Sequence, residues 1–234
     1  VTASYIILAI LTGPALAGIL SDNIIVEMLV NGIADPVKSA MFMLVDSPYV
    51  AKVATGMAEE EAVALMGSMP FELALTIRPI LIDPATQTTY LLIAHLIIFW
   101  LSQDSNVTPP VCLAAFTAAG IAGSKPMATG FESWKIAKGL YFVPLMFAYT
   151  PLVSGEWFEI LQIGGFSLFG IYTLNALIQN YSEGPINIWL KLVLVVGAIG
   201  AFWPLNLMAN IGGAVLVTST IIYSSHILKK QLNV

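Results

Sequence analysis

Long apolar runs without charge alternate with short polar breaks along this chain. Helices of about 20 such residues are long enough to cross about 30 Å of hydrocarbon, and these runs lack the 3.6-residue polar spacing of a soluble helix. The pattern therefore predicts an all-α polytopic transmembrane protein. The runs free of Asp, Glu, Lys and Arg are Val1–Ser21, Pro84–Gln103, Ser105–Ser124, Gly139–Gly155, Ile160–Ser182 and Leu192–Leu228.

The second half of the chain predicts four membrane spans. One is expected near Gly139–Val153 and another near Ile160–Gln179. The run Leu192–Leu228 is long enough for two passes, and Trp203-Pro204 is the natural turn between them because proline does not continue a helix.

At the other end of the chain, Val1–Leu20 is apolar but contains Gly13-Pro14. Proline removes a hydrogen bond from a helix interior, so we expect a helix that is kinked or split at this point. Thr2 and Ser4, at its start, either cap the helix or line a site.

Residues 21–88 lack the long apolar runs of the other segments, because five X-Pro pairs interrupt them. A residue before proline is pushed out of the helical region, so this segment predicts four or five short helices. Within it, Ala58–Gly67 predicts a solvated helix with Glu59-Glu60-Glu61 facing water. Arg78, the only arginine in the sequence, either anchors an anionic group or is a helix-end charge at the lipid interface, and we expect the second.

A polar break separates the runs on either side of Asp104. The break reads Ser102-Gln103-Asp104-Ser105-Asn106-Val107-Thr108-Pro109-Pro110. Unpaired backbone groups are costly in hydrocarbon, so a chain that leaves the helical conformation there must line a cavity, a ligand or an ion. We expect two half-length helices joined as a re-entrant hairpin, with Thr108 as N-cap of the second helix and Pro109 in its first turn. The tip would present free N–H and C=O groups to an anion and a cation.

Composition supports the membrane assignment and limits the chemistry. Hydrophobic residues make up 58% of the chain, charged residues 10%, and the mean hydropathy is +0.86. Cys112 is the only cysteine and is expected to be a small buried residue, so there is no disulfide framework. The sequence contains no HExxH, GxSxG, Walker or EF-hand pattern, and we predict that the chain is not an enzyme and has no cofactor.

Candidate site residues cluster in the polar break. Ser105, Asn106 and Thr108 offer neutral oxygen ligands that suit a hard monovalent cation such as Na⁺. Asp104 is an ionisable group at apparent membrane depth, which by default indicates function, although it could instead cap the break or lie in a wet cavity. His95 either takes part in the same chemistry or donates a hydrogen bond to a neighbouring carbonyl.

Two stretches resemble a known transporter family. The residues from Ala94 to Phe116, followed by Gly120-Ile121-Ala122-Gly123-Ser124 and by Trp134–Leu140, are similar to the large membrane subunit of tripartite ATP-independent periplasmic (TRAP) transporters of the fused, TAXI type. Residues Thr2-Ala3-Ser4-Tyr5 resemble a second element of that family. From Leu152 onward the likeness is one of hydropathy and position only.

This resemblance implies a C-terminal part of an elevator-type permease that takes up small organic acids with sodium as the coupling ion. The implied substrate-binding residues are Asn106, Thr108, Pro109 and Pro110, and the implied sodium ligands are Ser105, Asn106 and Thr108. The implied partners are a TAXI-class periplasmic binding protein, a small membrane subunit or its fused equivalent, the upstream permease chain and the lipid bilayer, with no nucleic acid. The implied location is the inner membrane of a bacterial or archaeal cell.

The sequence divides into four predicted segments. Residues 1–20 form an interrupted helix, 21–88 a Pro-broken insertion that the family does not lead us to expect, 89–154 the hairpin with a following span, and 155–234 the C-terminal spans. Two alternatives remain open. One is a passive channel with Asp104 as a selectivity constriction, and the other is an intramembrane enzyme that pairs Asp104 with His95.

Overall fold

The computed structural model describes residues 2–232, with the side chains of Ala9, Ile10 and residues 12–226. The regular elements in this part of the chain are helices. An isolated β-bridge pairs Tyr181 with Pro185. The α-helices are α1 (Thr2–Asn31), α2 (Pro36–Ala40), α3 (Glu59–Ser68), α4 (Phe71–Leu81), α5 (Pro84–Gln103), α6 (Leu113–Ala122), α7 (Pro126–Ile136), α8 (Gly139–Tyr149), α9 (Trp157–Gln179), α10 (Ile188–Phe202) and α11 (Leu207–Leu232).

Within the described part of the chain, four helical segments are long and apolar enough to cross a membrane, which is the pattern of a multi-pass membrane protein. Large apolar side chains are exposed along them; on α9, for example, Trp157 is 81% and Leu161 70% exposed. Exposed apolar side chains on a membrane-spanning helix contact lipid and do not require a protein partner. The four segments are Thr12–Asn31, Pro84–Asn106, Trp157–Gln179 and Leu207–His226.

The chain forms two compact units, and the division between them falls inside α5, after Ile98. It differs from the boundaries predicted at residues 20, 88 and 154. In the first unit, α1 packs on α3 and α4 around its own hydrophobic core, in which Ile25, Phe42 and Leu65 are fully buried. Burial of such side chains contributes about 1.5–3 kcal/mol each, so the Pro-broken segment has an apolar core of its own.

Two glycines close the loops of this first unit. Gly32 and Gly56 both have left-handed backbone conformations, with φ of 84° and 94°, which glycine adopts without strain. A Cβ on Gly32 would lie 2.8 Å from the backbone nitrogen of Gly56, so neither position has room for a side chain. The close approach allows the amide of Ile33 to donate a 2.8 Å hydrogen bond to the carbonyl of Val53.

In the second unit, α10 packs against α11 and α9 through small residues. A Cβ on Gly213 of α11 would lie 2.6 Å from the carbonyl oxygen of Gly197 on α10, so the two helix backbones touch. Asn210, which is 3% exposed, provides hydrogen bonds to the backbone carbonyls at the turn between these helices. Its amide donates to the carbonyls of Gly200, Ala201 and Trp203 at the end of α10, where a helix runs out of its own amide donors.

Several predicted elements are confirmed. Helix α9 matches the span expected near Ile160–Gln179, the turn between α10 and α11 falls at Trp203-Pro204, and α3 begins with Glu59-Glu60-Glu61. The segment after α1 contains α2, α3, α4 and two short 3-10 helices, Met41–Leu44 and Val50–Lys52, so the expectation of four or five short helices is also confirmed.

Other predictions about single elements are wrong. Of the two outcomes expected at Gly13-Pro14, a kinked or a split helix, the split is wrong, because α1 continues through Pro14 to Asn31. Helix α5 has 20 residues rather than a half-length, and the span expected near Gly139–Val153 is an 11-residue helix, α8. Arg78 is not a lipid-facing helix end. It is 9% exposed and paired with Asp22 of α1, a partner from distant sequence that no local pattern reveals.

Candidate functional site

The polar break lies between α5 and α6, within the second unit. After α5 the chain makes a 3-10 turn over Asp104–Asn106, and the Asp104 carbonyl accepts hydrogen bonds from the amides of Val107 and Thr108. The peptide bond between Pro109 and Pro110 is cis. Regular helix resumes only at Leu113, so nine residues, 104–112, lie between Gln103 and the first residue of α6.

Thr108 is not the N-cap of the second helix, and Pro109 is not in its first turn. The amide of Thr108 still bonds to Asp104, so Thr108 ends the first helical segment. The N-cap position of α6 is instead Cys112, which is fully buried as expected and makes no side-chain cap. The first turn of α6 therefore begins without a side-chain acceptor for its free amides.

Ser105 and Asn106 fold back on the end of α5. The Ser105 hydroxyl donates to the carbonyl of Ser102 at 2.9 Å, and the Asn106 amide donates to the carbonyl of Gln103 at 3.1 Å. Both bonds use the donor hydrogens of these side chains. The oxygen lone pairs of Ser105 Oγ and Asn106 Oδ1 are not consumed by them, and oxygen lone pairs are what a hard cation needs.

Thr108 carries the unexplained polar atom of the break. Its Oγ1 is buried and has no hydrogen-bond partner. A buried hydroxyl without a partner costs about 1–3 kcal/mol, so such a group in a native structure calls for a ligand, an ion or a water molecule. Ser105, Asn106 and Thr108 thus place three side-chain oxygens within four consecutive residues.

Asp104 is held by an aromatic cluster that the sequence analysis did not identify. The hydroxyl of Tyr141, in α8, donates a 2.8 Å hydrogen bond to Asp104 Oδ1, and Trp134 Nε1, in α7, donates to the same Tyr141 oxygen at 3.1 Å. The Asp104 side chain is therefore oriented by residues of α7 and α8, and its half-buried carboxylate has a hydrogen-bond partner.

A cation completes this cluster. The Lys138 ammonium lies 2.9 Å from the centre of the Trp134 ring and 5.5 Å from the centre of the Tyr141 ring. Burial lowers the pKa of Lys138 below its ordinary value, while attraction by the Asp104 carboxylate opposes that decrease. The ring contact also favours the charged form, so a positive charge faces the aromatic groups that hold Asp104.

Helix α7 supports the break from behind. Gly130 is buried, and a Cβ placed on it would lie 2.7 Å from Cys112 Sγ and 3.2 Å from Pro109 Cγ. The absence of a side chain at this position lets α7 approach the residues that connect α5 to α6. Close packing on α7, which belongs to the same unit, therefore fixes the position of the residues in the break.

The remaining candidates lie elsewhere. The side chains of Thr2 and Ser4 are outside the described part of the structure. His95 belongs to the first unit, where its ring lies against Gly13 of α1: a Cβ there would be 2.9 Å from Nε2. The described residues contain no group of three His, Cys, Asp or Glu side chains that could hold a metal ion.

A signal for the missed cluster was present in the sequence. Trp134, Lys138 and Tyr141 are spaced i, i+4 and i+7, a spacing that groups side chains on one face of a helix. In the structure a turn at Ala137 and Lys138 separates α7 from α8, and the three side chains still meet.

No protein-family model, curated protein or solved structure has significant similarity to this chain.

Proposed function

We propose that this chain is the membrane permease component of a sodium-coupled, binding-protein-dependent secondary transporter that takes up small organic acids. The observation that carries the proposal is the polar break, where Thr108 Oγ1 is buried without a partner between two apolar helices. The family resemblance of the residues around the break supports the same function.

In the proposed mechanism, sodium binds first. The oxygens of Ser105, Asn106 and Thr108 replace part of the hydration shell of the ion, and the hydroxyl of Thr108 gains the partner that it lacks. The bound ion fixes the connection through Pro109 and Pro110. A substrate carboxylate then binds near the uncapped first turn of α6, because helix N-termini attract anions. Breaks of this kind serve ion and substrate binding in secondary transporters.

Asp104 has a positioning role in this proposal. Its hydrogen bond to Tyr141 holds the start of the break while the following residues bind and release sodium. The re-entrant hairpin and the elevator movement belong to the same proposal. So do the periplasmic binding protein of the TAXI class, the small membrane subunit or its fused equivalent, the upstream permease chain and the inner-membrane location.

The test is uptake of radiolabelled organic acids into proteoliposomes that contain the complete permease and its binding protein. We expect uptake that requires both the binding protein and an inward sodium gradient, and that saturates with sodium. Uptake that is indifferent to sodium and to the binding protein would contradict the proposal and favour a passive channel.

A further inference from the structure

A cavity in the first unit lies apart from the polar break. Residues of α1, α4 and the beginning of α5 line a partly open cavity of about 390 Å³. This volume is within the range of small-molecule sites, which are typically about 300–1,000 Å³ and mostly apolar. Its apolar wall includes Pro14, Ala17, Leu75, Ile82 and Leu91.

Arg78 supplies the charged group of this cavity. It is 9% exposed, and its Nε and Nη2 donate to the two carboxylate oxygens of Asp22 at 2.8 Å each. Its third nitrogen, Nη1, is buried and has no hydrogen-bond partner. Gly18 leaves room for this nitrogen, because a Cβ there would lie 2.9 Å from Nη1.

The unpaired nitrogen defines what the cavity can bind. A guanidinium has five N–H donors, and the ion pair with Asp22 uses one on Nε and one on Nη2. Nη1 therefore requires an acceptor oxygen from elsewhere. Because the Asp22 carboxylate already neutralises the guanidinium, a second carboxylate would leave the buried site with net negative charge, which is unfavourable at low dielectric. An uncharged carbonyl oxygen avoids this penalty.

Two hydroxyl groups in the wall of the same cavity offer the complementary acceptors. Ser21 donates its hydrogen to the carbonyl of Gly18 at 2.8 Å, and Thr88 donates to the carbonyl of Pro84 at 2.8 Å. Both residues line the cavity, and the oxygen of each can still accept a hydrogen bond. A ligand that carries an N–H or O–H next to its carbonyl therefore fits the polar groups of the wall.

We propose that this cavity binds a molecule with an apolar body through an uncharged carbonyl group that accepts a hydrogen bond from Arg78 Nη1. The carbonyl can belong to a free small molecule, such as a primary amide, or to the ester group of a membrane lipid. The site is independent of sodium and of the proposed transport function.

Arg78 allows a direct test because it is the only arginine in the sequence. In protein labelled with guanidino-¹⁵N arginine and purified in detergent, a single guanidinium gives the NMR signal. We expect hexanamide to shift this signal saturably and to bind at least about tenfold more tightly than hexanoate, a difference that corresponds to about 1.4 kcal/mol. A saturable shift with hexanoate and none with hexanamide would overturn the assignment to an uncharged carbonyl.

A matched pair of variants tests the location. Leu75 lines the cavity and is 39% exposed, so Leu75→Trp can place its ring in the cavity without replacing a residue of the buried core. Leu92 is 50% exposed and does not line it, so Leu92→Trp is the control. We expect the hexanamide shift to be lost in Leu75→Trp and kept in Leu92→Trp. An unchanged shift in Leu75→Trp would overturn the proposal.

The two sources of the carbonyl are separated by lipid chemistry. The same signal is compared in bicelles of ester-linked and of ether-linked phosphatidylcholine, which differ in the carbonyl. A difference between them assigns the site to lipid. Identical signals in both bicelles, together with the hexanamide shift, assign it to a free molecule. Absence of any response to lipid type and to hexanamide would overturn the site.

Discussion

The Tyr141 hydroxyl donates a hydrogen bond to Asp104 Oδ1 at 2.8 Å and joins α8 to the beginning of the polar break. The same oxygen accepts a hydrogen bond from Trp134 Nε1. Loss of this hydroxyl would therefore leave two polar groups without their present partner. The relationship makes Tyr141 a positioning residue for the break.

We expect Tyr141→Phe to lower the free energy of unfolding by about 1–3 kcal/mol, because a partly buried indole donor and a carboxylate both lose a hydrogen bond. Thermal or denaturant unfolding in detergent measures the change. Tyr149→Phe is the matched control, since Tyr149 lies in the same helix and is 78% exposed. Equal stability of both variants would show that the hydrogen bond does not hold the break.

Thr108→Val separates the two roles of the threonine hydroxyl. Valine keeps the shape and removes an oxygen that has no partner, so in sodium-free buffer we expect the variant to be as stable as the wild type or more stable by about 1 kcal/mol. Added sodium should raise the unfolding temperature of the wild type and leave that of the variant unchanged.

The control for this substitution is Thr117→Val, in α6. The Thr117 hydroxyl donates to the carbonyl of Leu113 on an exposed face, so its loss should not change the response to sodium. A sodium-dependent stabilisation of Thr108→Val equal to that of the wild type would exclude Thr108 as a ligand.

Much of the fold follows from local sequence, and the break illustrates both the success and its limit. The change from apolar to polar residues at Ser102 correctly marks where α5 ends. The N-cap at Thr108 was wrong because Asp104 O accepts the amides of both Val107 and Thr108, which extends the first helical segment to the residue before Pro109. The capping preference of threonine does not show whether the residue begins the following helix or ends the preceding one.

Contacts between distant residues could not be predicted from the sequence. Asp22 and Arg78 form an ion pair although 56 positions separate them in the sequence. The residues around each of them are those of an ordinary helix and do not indicate the partner. Pro14 left two outcomes open, a kink or a split, and the helix is not split because a proline inside a helix removes one hydrogen bond but does not have to end the helix.

Gly130→Ala should lower the stability of the protein by disturbing the packing of α7 against the break. The new methyl group would lie 2.7 Å from Cys112 Sγ, and overpacking of this kind costs about 1–3 kcal/mol. The control is Gly120→Ala in α6, where nothing lies within 4 Å and alanine should stabilise the helix by about 0.5–1 kcal/mol. Unfolding of both variants in one detergent measures the difference, and an unaltered stability of Gly130→Ala would contradict the close packing.

Adjacent glycines of α11 provide a second matched pair. A Cβ on Gly213 would collide with the backbone of α10, whereas a Cβ on Gly212 meets nothing within 4 Å. We expect Gly213→Ala to lower the unfolding temperature by several degrees and Gly212→Ala to keep or raise it. The interface between α10 and α11 would be wrongly placed if the two variants behaved alike.

Asp83 gives the protein a dependence on acid pH. Hydrogen bonds from the Thr86 side chain and from the backbone amides of Thr86 and Ala85 lower the pKa of Asp83 below its ordinary value of 3.8. Its contribution to stability is therefore complete above that ordinary value and is lost as the pH falls through the lower pKa of the folded state.

The measurement is thermal unfolding of wild type, Asp83→Ala and Asp83→Asn across this range. Asp83→Ala should unfold at a lower temperature at neutral pH, and the gap should close in acid well below the ordinary pKa of 3.8. Asp83→Asn keeps an acceptor for the amides and should lose less than Asp83→Ala. A gap that is the same at all pH values would show that the charge of Asp83 has no part in its effect.

Direct binding of ²²Na⁺ to the purified chain tests the central claim most closely. We expect saturable binding that unlabelled Na⁺ displaces and K⁺ does not, retained in Thr117→Val and lost in both Asn106→Ala and Thr108→Val. Absence of saturable binding, or full binding in both Asn106→Ala and Thr108→Val, would contradict a sodium site at the polar break.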